Sequence, residues 1–190
     1  MRVRLKLWLS GLLLALASSM TGIVAAEQTA LKAINDGDIV LYRHATAPGN
    51  GDPTDFELGN CNTQRLLNDA GRRQAVQIGQ QLRKRDIAVG AVWSSQWCRT
   101  TETAELGFPE QAVLGREQFN SFYAQRHLAD SRTAAARGAV LAWHGPGVLV
   151  VFTHQVNITA LVEVWPASGE GIVVRVTDGQ LQVIDRIAPP

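Results

Sequence analysis

A short apolar run that stops at an arginine and a histidine constrains this chain more than any other feature: Asp38-Ile39-Val40-Leu41-Tyr42-Arg43-His44-Ala45. Ile39, Val40 and Leu41 are continuous and partly β-branched, with Asn35-Asp36-Gly37-Asp38 before them and Pro48-Gly49-Asn50-Gly51 after. A strand covered on both faces reads this way, because neither face has solvent to receive a polar side chain. In open α/β sheets ligands bind in the crevice beyond the carboxyl ends of the strands, which is where Arg43 and His44 would stand. On its own such a pair is weak evidence, and two further strand ends strengthen it.

Residues 45–65 are rich in Gly, Pro, Asp and Asn without usable periodicity, which predicts a long surface loop; loops of that length are uncommon unless functional. Asn68 or Asp69 can cap a helix running to about Arg85, with Ala75, Ile78 and Leu82 on one face. Gly90 to Ser95 reads as a second strand and Gln96 to Leu106 as a helix with Cys98 and Arg99 in its first turn, the serine at the strand end serving as N-cap. Gln111 to Leu114 suggests a weaker strand, and Phe119 to Tyr123 has no readable class. The alanine-rich run Ser131 to Trp143 is helical and is stopped by Gly145-Pro146-Gly147. Val148 to Phe152 is the clearest strand, ending in Thr153-His154, with Asn157 as cap of a helix from Ile158 to about Trp165. Asp178-Gly179 between Ile172–Thr177 and Gln180–Ile187 is a strong hairpin signal at a sheet edge.

Strands alternating with helices imply an α/β fold in three layers, a mostly parallel sheet with helices on both faces. Three strands then end in polar sets: Arg43-His44, Ser94-Ser95 leading to Arg99, and Thr153-His154. Such a cluster of imidazoles and guanidiniums repels itself unless an anion sits within it. The start of the helix after Ser95 would add free backbone N–H groups. Phosphate fits, because arginine offers forked donors to its oxygens, and a neutral histidine nitrogen can attack phosphorus.

The first 26 residues resemble a secretory signal peptide: Arg2, Arg4 and Lys6, an apolar core from Leu7 to Ala17, and Val24-Ala25-Ala26 before Glu27. Cleavage after Ala26 would leave a single domain, residues 27–190, in the periplasm or secreted, without stable membrane insertion. Losing those three cations takes the 18 Lys+Arg to 15 against 17 Asp+Glu, about −2, which offers no basic field for nucleic acid. Two cysteines and four histidines without short ligand spacing argue against a metal enzyme.

Four motifs in order resemble the histidine phosphatase superfamily, with its phosphoglycerate mutase-like fold. They are Arg43-His44-Ala45, Arg65-Leu66 before Asn68 to Ala75, Ser94-Ser95 through Arg99 to Thr103-Ala104, and Phe152-Thr153-His154. The resemblance implies His44 as phosphorylated nucleophile, His154 as phosphate-contacting partner, Arg43, Arg65 and Arg99 as phosphate clamp, and no organic cofactor or metal. It departs from the family after the third strand, where Phe119-Asn120-Ser121-Phe122 holds no acid; Glu117, Asp52 and Asp55 are the replacements on offer, each read as an exposed carboxylate. A mutase, which must protonate and deprotonate sugar hydroxyls in turn, fits such a site poorly. Small size and export are similar in type to exported lipopolysaccharide core heptose phosphatases, so the expected substrate is a small-molecule or glycan phosphate ester. A phosphohistidine-protein phosphatase and a non-catalytic receptor for a phosphorylated ligand are the rivals. Cys61 and Cys98 each lie close to a clamp arginine, and an exported chain sees an oxidising compartment, so the two are expected to form a disulfide. His127 and His144 read as solvated, Trp93, Phe152 and Trp165 as core, and Trp97 as standing at the mouth of the site.

Overall fold

The computed structural model describes residues 34–190, so the expected signal segment lies outside the described residues. The chain runs β1 (Ile39–Arg43), α1 (Asp69–Arg83), β2 (Val89–Ser94), α2 (Cys98–Gly107), β3 (Val113–Gly115), α3 (Ala129–Leu141), β4 (Val148–Thr153), α4 (Gln155–Val162), β5 (Gly171–Thr177) and β6 (Gln180–Ile187). Six strands form one sheet in the order β3-β2-β4-β1-β5-β6. The first four in that order are parallel, and β5 and β6 add an antiparallel edge.

Alternation along the strands divides the core into two layers. Val40, Tyr42, Val92, Val150 and Phe152 pack with Ile78 and Leu82 of α1, Ala104 of α2 and Phe108 just beyond that helix. Ile39, Leu41, Trp93, Leu149 and Val151 pack with Ala136 and Val140 of α3 and Ile158 and Leu161 of α4. All six residues of β4 are buried, as a strand with helices over both faces requires. Truncating Phe152 to alanine would cost about 3–5 kcal/mol, the usual penalty for an aromatic cavity in such a core.

Local chemistry fixes the elements around the crevice. Asn68 caps α1, its side chain accepting from Gly71 N at 2.8 Å. Gly71 is obligatory for packing: a Cβ there would lie 2.1 Å from the carbonyl oxygen of Thr46, where the chain leaves the β1 end. Asp178 and Gly179 take φ values of 52° and 71°, the two positive values that a two-residue turn of this hand needs to join β5 to β6.

Some boundaries differ from the sequence reading. α2 begins at Cys98 with Trp97 at the N-cap position, and Ser95 instead accepts from Trp97 N through its hydroxyl at 3.2 Å. α4 begins at Gln155, so Asn157 lies inside it and donates to the carbonyl of Asn120 at 2.9 Å rather than capping the helix. Trp165 is 71% exposed, not core, because Glu163 turns into the left-handed region at φ 59° and carries the chain off the helix before it. Phe119 closes a single 3-10 turn (Glu117–Phe119), and Asn120 to Tyr123 follows as irregular backbone, buried as far as Phe122. No helix among the described residues is long and apolar enough to cross a membrane.

Candidate active site

Sheet order brings the three polar strand ends together. β4 lies between β2 and β1, with Arg43 in register with Thr153 and Ser94 with Phe152. His44, Ser95 and His154 therefore leave neighbouring strands side by side, and the rings of His44 and His154 meet edge to face with centroids 5.5 Å apart. The exit from β1 is held by residues of the other motifs. Ala45 N donates to Thr103 Oγ1 at 3.1 Å, and Gln74 Oε1 accepts from Thr46 N and Oγ1 at 2.9 and 3.0 Å.

His44 is 3% exposed, and its hydrogen bonds define its tautomer. Nδ1 lies 2.7 Å from the carbonyl oxygen of Ala45. A carbonyl can only accept, so Nδ1 carries the proton and Nε2 carries a lone pair. Nε2 in turn accepts from Nε of Arg99 at 3.3 Å. Burial pushes the His44 pKa well below the ordinary histidine value; Arg99, Arg65 and Arg43 push the same way, against the Ala45 bond. His154 is lowered for the same reasons, burial first and Arg99 next. Its Nε2 stands 2.9 Å from Ser95 Oγ, which donates to Asn120 Oδ1 at 3.2 Å.

The arginines converge on one cavity of about 290 Å³, also lined by His44, His154, Asp52, Phe56, Trp97 and Tyr123. Arg99 is 3% exposed and forms a forked pair with Asp52, its two Nη atoms reaching the carboxylate oxygens at 2.5 and 3.1 Å. Arg43 donates through Nη1 to the carbonyl of Pro166 at 3.1 Å, while its buried Nε has no partner. Arg65, half-buried rather than solvated, donates to the carbonyls of Gly51 and Ala47. Burial and then Arg99 bring the Arg65 pKa down to about 10, with Asp52 opposing, and they lower Arg43 in the same direction. Three guanidiniums against one carboxylate leave an excess of positive charge that an anion would relieve.

Asp52 was not legible as part of this group. It is no ordinary surface acid: besides Arg99 it accepts from Trp97 Nε1 at 2.9 Å and Arg65 N at 3.3 Å. Burial raises its pKa, but the bonds and charge of Arg99, helped by Trp97 and Arg65 N, outweigh that and hold the carboxyl below the usual range. Glu117 and Asp55, the other two acids considered, are exposed and stand outside the cavity. Asn120 was missed too. Its side chain accepts from Gln96 N at 2.8 Å and donates to Gln96 Oε1 at 2.9 Å, while Cys98 N is taken by Gln64 Oε1 at 2.9 Å. The first amides leading into α2 are thus bound by protein oxygens and are not a free anion seat.

The expected disulfide is present: Cys61 is bonded to Cys98, with Cα atoms 5.7 Å apart. It ties the long loop to the residue next to Arg99. Trp97 is 8% exposed and stacks on Phe56 with centroids 4.8 Å apart, forming the aromatic wall of the mouth. His127 and His144 are exposed and lie away from the cavity. Among the described residues no group of three His, Cys, Asp or Glu side chains gathers as a metal site would need.

Comparison with known proteins agrees with this geometry. Residues 39–113 match the model of the histidine phosphatase superfamily (branch 1). No curated protein matches the chain. Among solved structures, YhfR of Bacillus stearothermophilus is similar at 14% identity and a TM-score of 0.61, covering 78% of this chain and 95% of its own. The protein histidine phosphatase SixA complexed with tungstate is similar at 13% identity and a TM-score of 0.56, covering 80% and 97%. Phosphoglycerate mutase from Bacillus anthracis is similar at 17% identity and a TM-score of 0.58, covering 79% and 93%. The superfamily resemblance read from the motifs and the phosphoglycerate mutase-like fold are both borne out.

Proposed function

We propose that this chain is a phosphatase that hydrolyses a phosphomonoester through a phosphohistidine on His44. The observation that carries the reading is the His44 tautomer: with Nδ1 donating to Ala45 O, an unprotonated Nε2 stands among three arginines. In the reaction Nε2 attacks phosphorus, the N–P bond forms as the ester P–O bond breaks, and water later cleaves N–P to release phosphate. Arg43, with its unpartnered Nε, Arg65 and Arg99 take the phosphoryl oxygens, and His154 lies against the same group. Because both histidines are buried and lowered, they stay neutral at pH 7 and leave the nucleophile free.

The resemblance of residues 1–26 to an export signal, together with the Phe56–Trp97 wall, supports a ring-bearing substrate such as an envelope phosphosugar. The likeness to a protein histidine phosphatase supports a second reading, in which a phosphorylated protein is the substrate. Offering a phosphosugar and a phosphohistidine protein side by side separates the two. The test of the main reading is pre-steady-state kinetics with p-nitrophenyl phosphate: an enzyme of this kind releases nitrophenol over many turnovers. A protein that binds phosphate without releasing the alcohol is a receptor, and the reading fails.

A further inference from the structure

Asp52 is the only carboxylate lining the cavity among the described residues. The guanidinium of Arg99 stands between it and the nucleophile, Nε facing His44 Nε2 at 3.3 Å while both Nη atoms are spent on Asp52 at 2.5 and 3.1 Å. A phosphoryl group positioned for attack by Nε2 needs those same donors, so substrate and Asp52 compete for one arginine fork. Displaced from Arg99, the carboxylate still has Trp97 Nε1 and Arg65 N to hold it at the cavity wall. It would then lie beside a phosphate dianion rather than a cation. Arg43, Arg65, Arg99, His44 and His154 face the same space, and the three arginines among them are by then committed to the phosphate.

Resting on the phosphatase reading, we propose that Asp52 is the proton donor to the leaving group, parked on Arg99 until a phosphoryl group takes that arginine. Facing the dianion favours the protonated carboxyl, the proton coming from solvent as the ion pair breaks. As the P–O bond breaks, that proton moves from Asp52 to the departing alkoxide oxygen, leaving neutral alcohol, an Asp52 carboxylate and phosphorylated His44. Asp52 can then take the proton of the attacking water in the second step and give it up to solvent as it pairs with Arg99 again, which returns the site to its starting charge. The donor thus comes from the loop after β1, and the acid-free stretch around Asn120 is no obstacle to turnover.

The test compares two leaving groups. Nitrophenolate departs without a proton, whereas the alkoxide of glycerol phosphate does not. In full-length protein, Asp52→Asn should raise the ratio of kcat on p-nitrophenyl phosphate to kcat on glycerol phosphate by about 100-fold, the usual worth of a general acid. Asp52→Ser, which also lacks an acid but differs in shape, should show the same rise, and Asp52→Glu a smaller one. If Asp52 only steadied Arg99, both substrates would suffer alike, and a ratio within about threefold of wild type in Asp52→Asn and Asp52→Ser overturns the proposal. A wild-type protein that releases neither alcohol overturns the phosphatase reading itself, and the proposal with it.

Discussion

Two carboxylate–arginine pairs lie at opposite ends of the same sheet and mean different things. At the amino end of β1, Asp38 is 2% exposed and receives Nε and Nη2 of Arg175 from β5 at 2.8 and 2.7 Å, with Asn35 N on the same carboxylate at 2.7 Å. At the carboxyl end, Asp52 likewise takes a two-pronged arginine, Arg99, here end-on through both Nη atoms at 2.5 and 3.1 Å. The first pair is matched, and it ties the edge hairpin to the central strands. The second is outnumbered by Arg43 and Arg65 beside two buried neutral histidines, and it opens into a cavity. Geometry of the pair alone therefore does not mark a functional site. The unbalanced charge around it does, because burying extra cations is costly unless a ligand completes the set.

The largest expected effect belongs to the disulfide at the site end. Reducing Cys61–Cys98, which closes a separation of 37 residues, should remove about 4 kcal/mol of stability in the chain-entropy estimate. A urea midpoint measured with and without reductant reads it, and turnover should fall alongside because the loop carrying Asp52 and Arg65 loses its tether. Next, Arg99→Ala should cost about 3–4 kcal/mol in transition-state stabilisation, as removal of one donor to developing charge does elsewhere. Arg99→Lys should recover little, since it restores charge but not the fork. Near-normal kcat/KM in the lysine protein would erase the distinction between the two pairs.

The matched pair should behave in the opposite way. Asp38→Asn should lower stability by roughly 1–2 kcal/mol, between an exposed and a buried pair because the Arg175 side chain is 37% exposed, while leaving kcat/KM within about twofold. Loss of activity at constant stability would show that the two ends are coupled. The smallest effect is the pH slope. Both site histidines have folded pKa values well below 6.5, so between those values and 6.5 the unfolded chain holds more protons. Stability should be flat above about pH 6.5 and fall below it, by at most about 1.4 kcal/mol per histidine per pH unit. Asp52, also lowered, acts only below its ordinary value near 3.8, so the loss that begins near pH 6.5 belongs to the histidines. Urea titrations at pH 7.5 and 5.5 should show the loss in wild type and a reduced loss in His44→Asn.

Most of the scaffold was legible because it rests on local rules. Apolar runs such as Val148 to Phe152, the Asp178-Gly179 turn and the Asn68 cap each speak within a few residues, and the strand-end polar sets named His44, Arg99 and His154. Asp52 could be named only as one of three candidate acids, because its loop has no periodicity and what singles it out is Arg99, 47 residues away. Asn120 escaped notice for the same reason, its partners Ser95 and Gln96 lying on another strand end. Trp165 was misjudged because helix length was extrapolated from composition, whereas the left-handed Glu163 ends α4 early.

The central claim is that Nε2 of His44 takes the phosphoryl group. Rapid acid-free quenching of the wild-type protein with phosphorus-labelled substrate should trap one label per chain, stable in base and lost in acid, and mapping to the peptide that holds His44. The His44→Ala protein should bind phosphate and carry no label. Label that persists in His44→Ala, or that maps to another residue in wild type, would contradict the account.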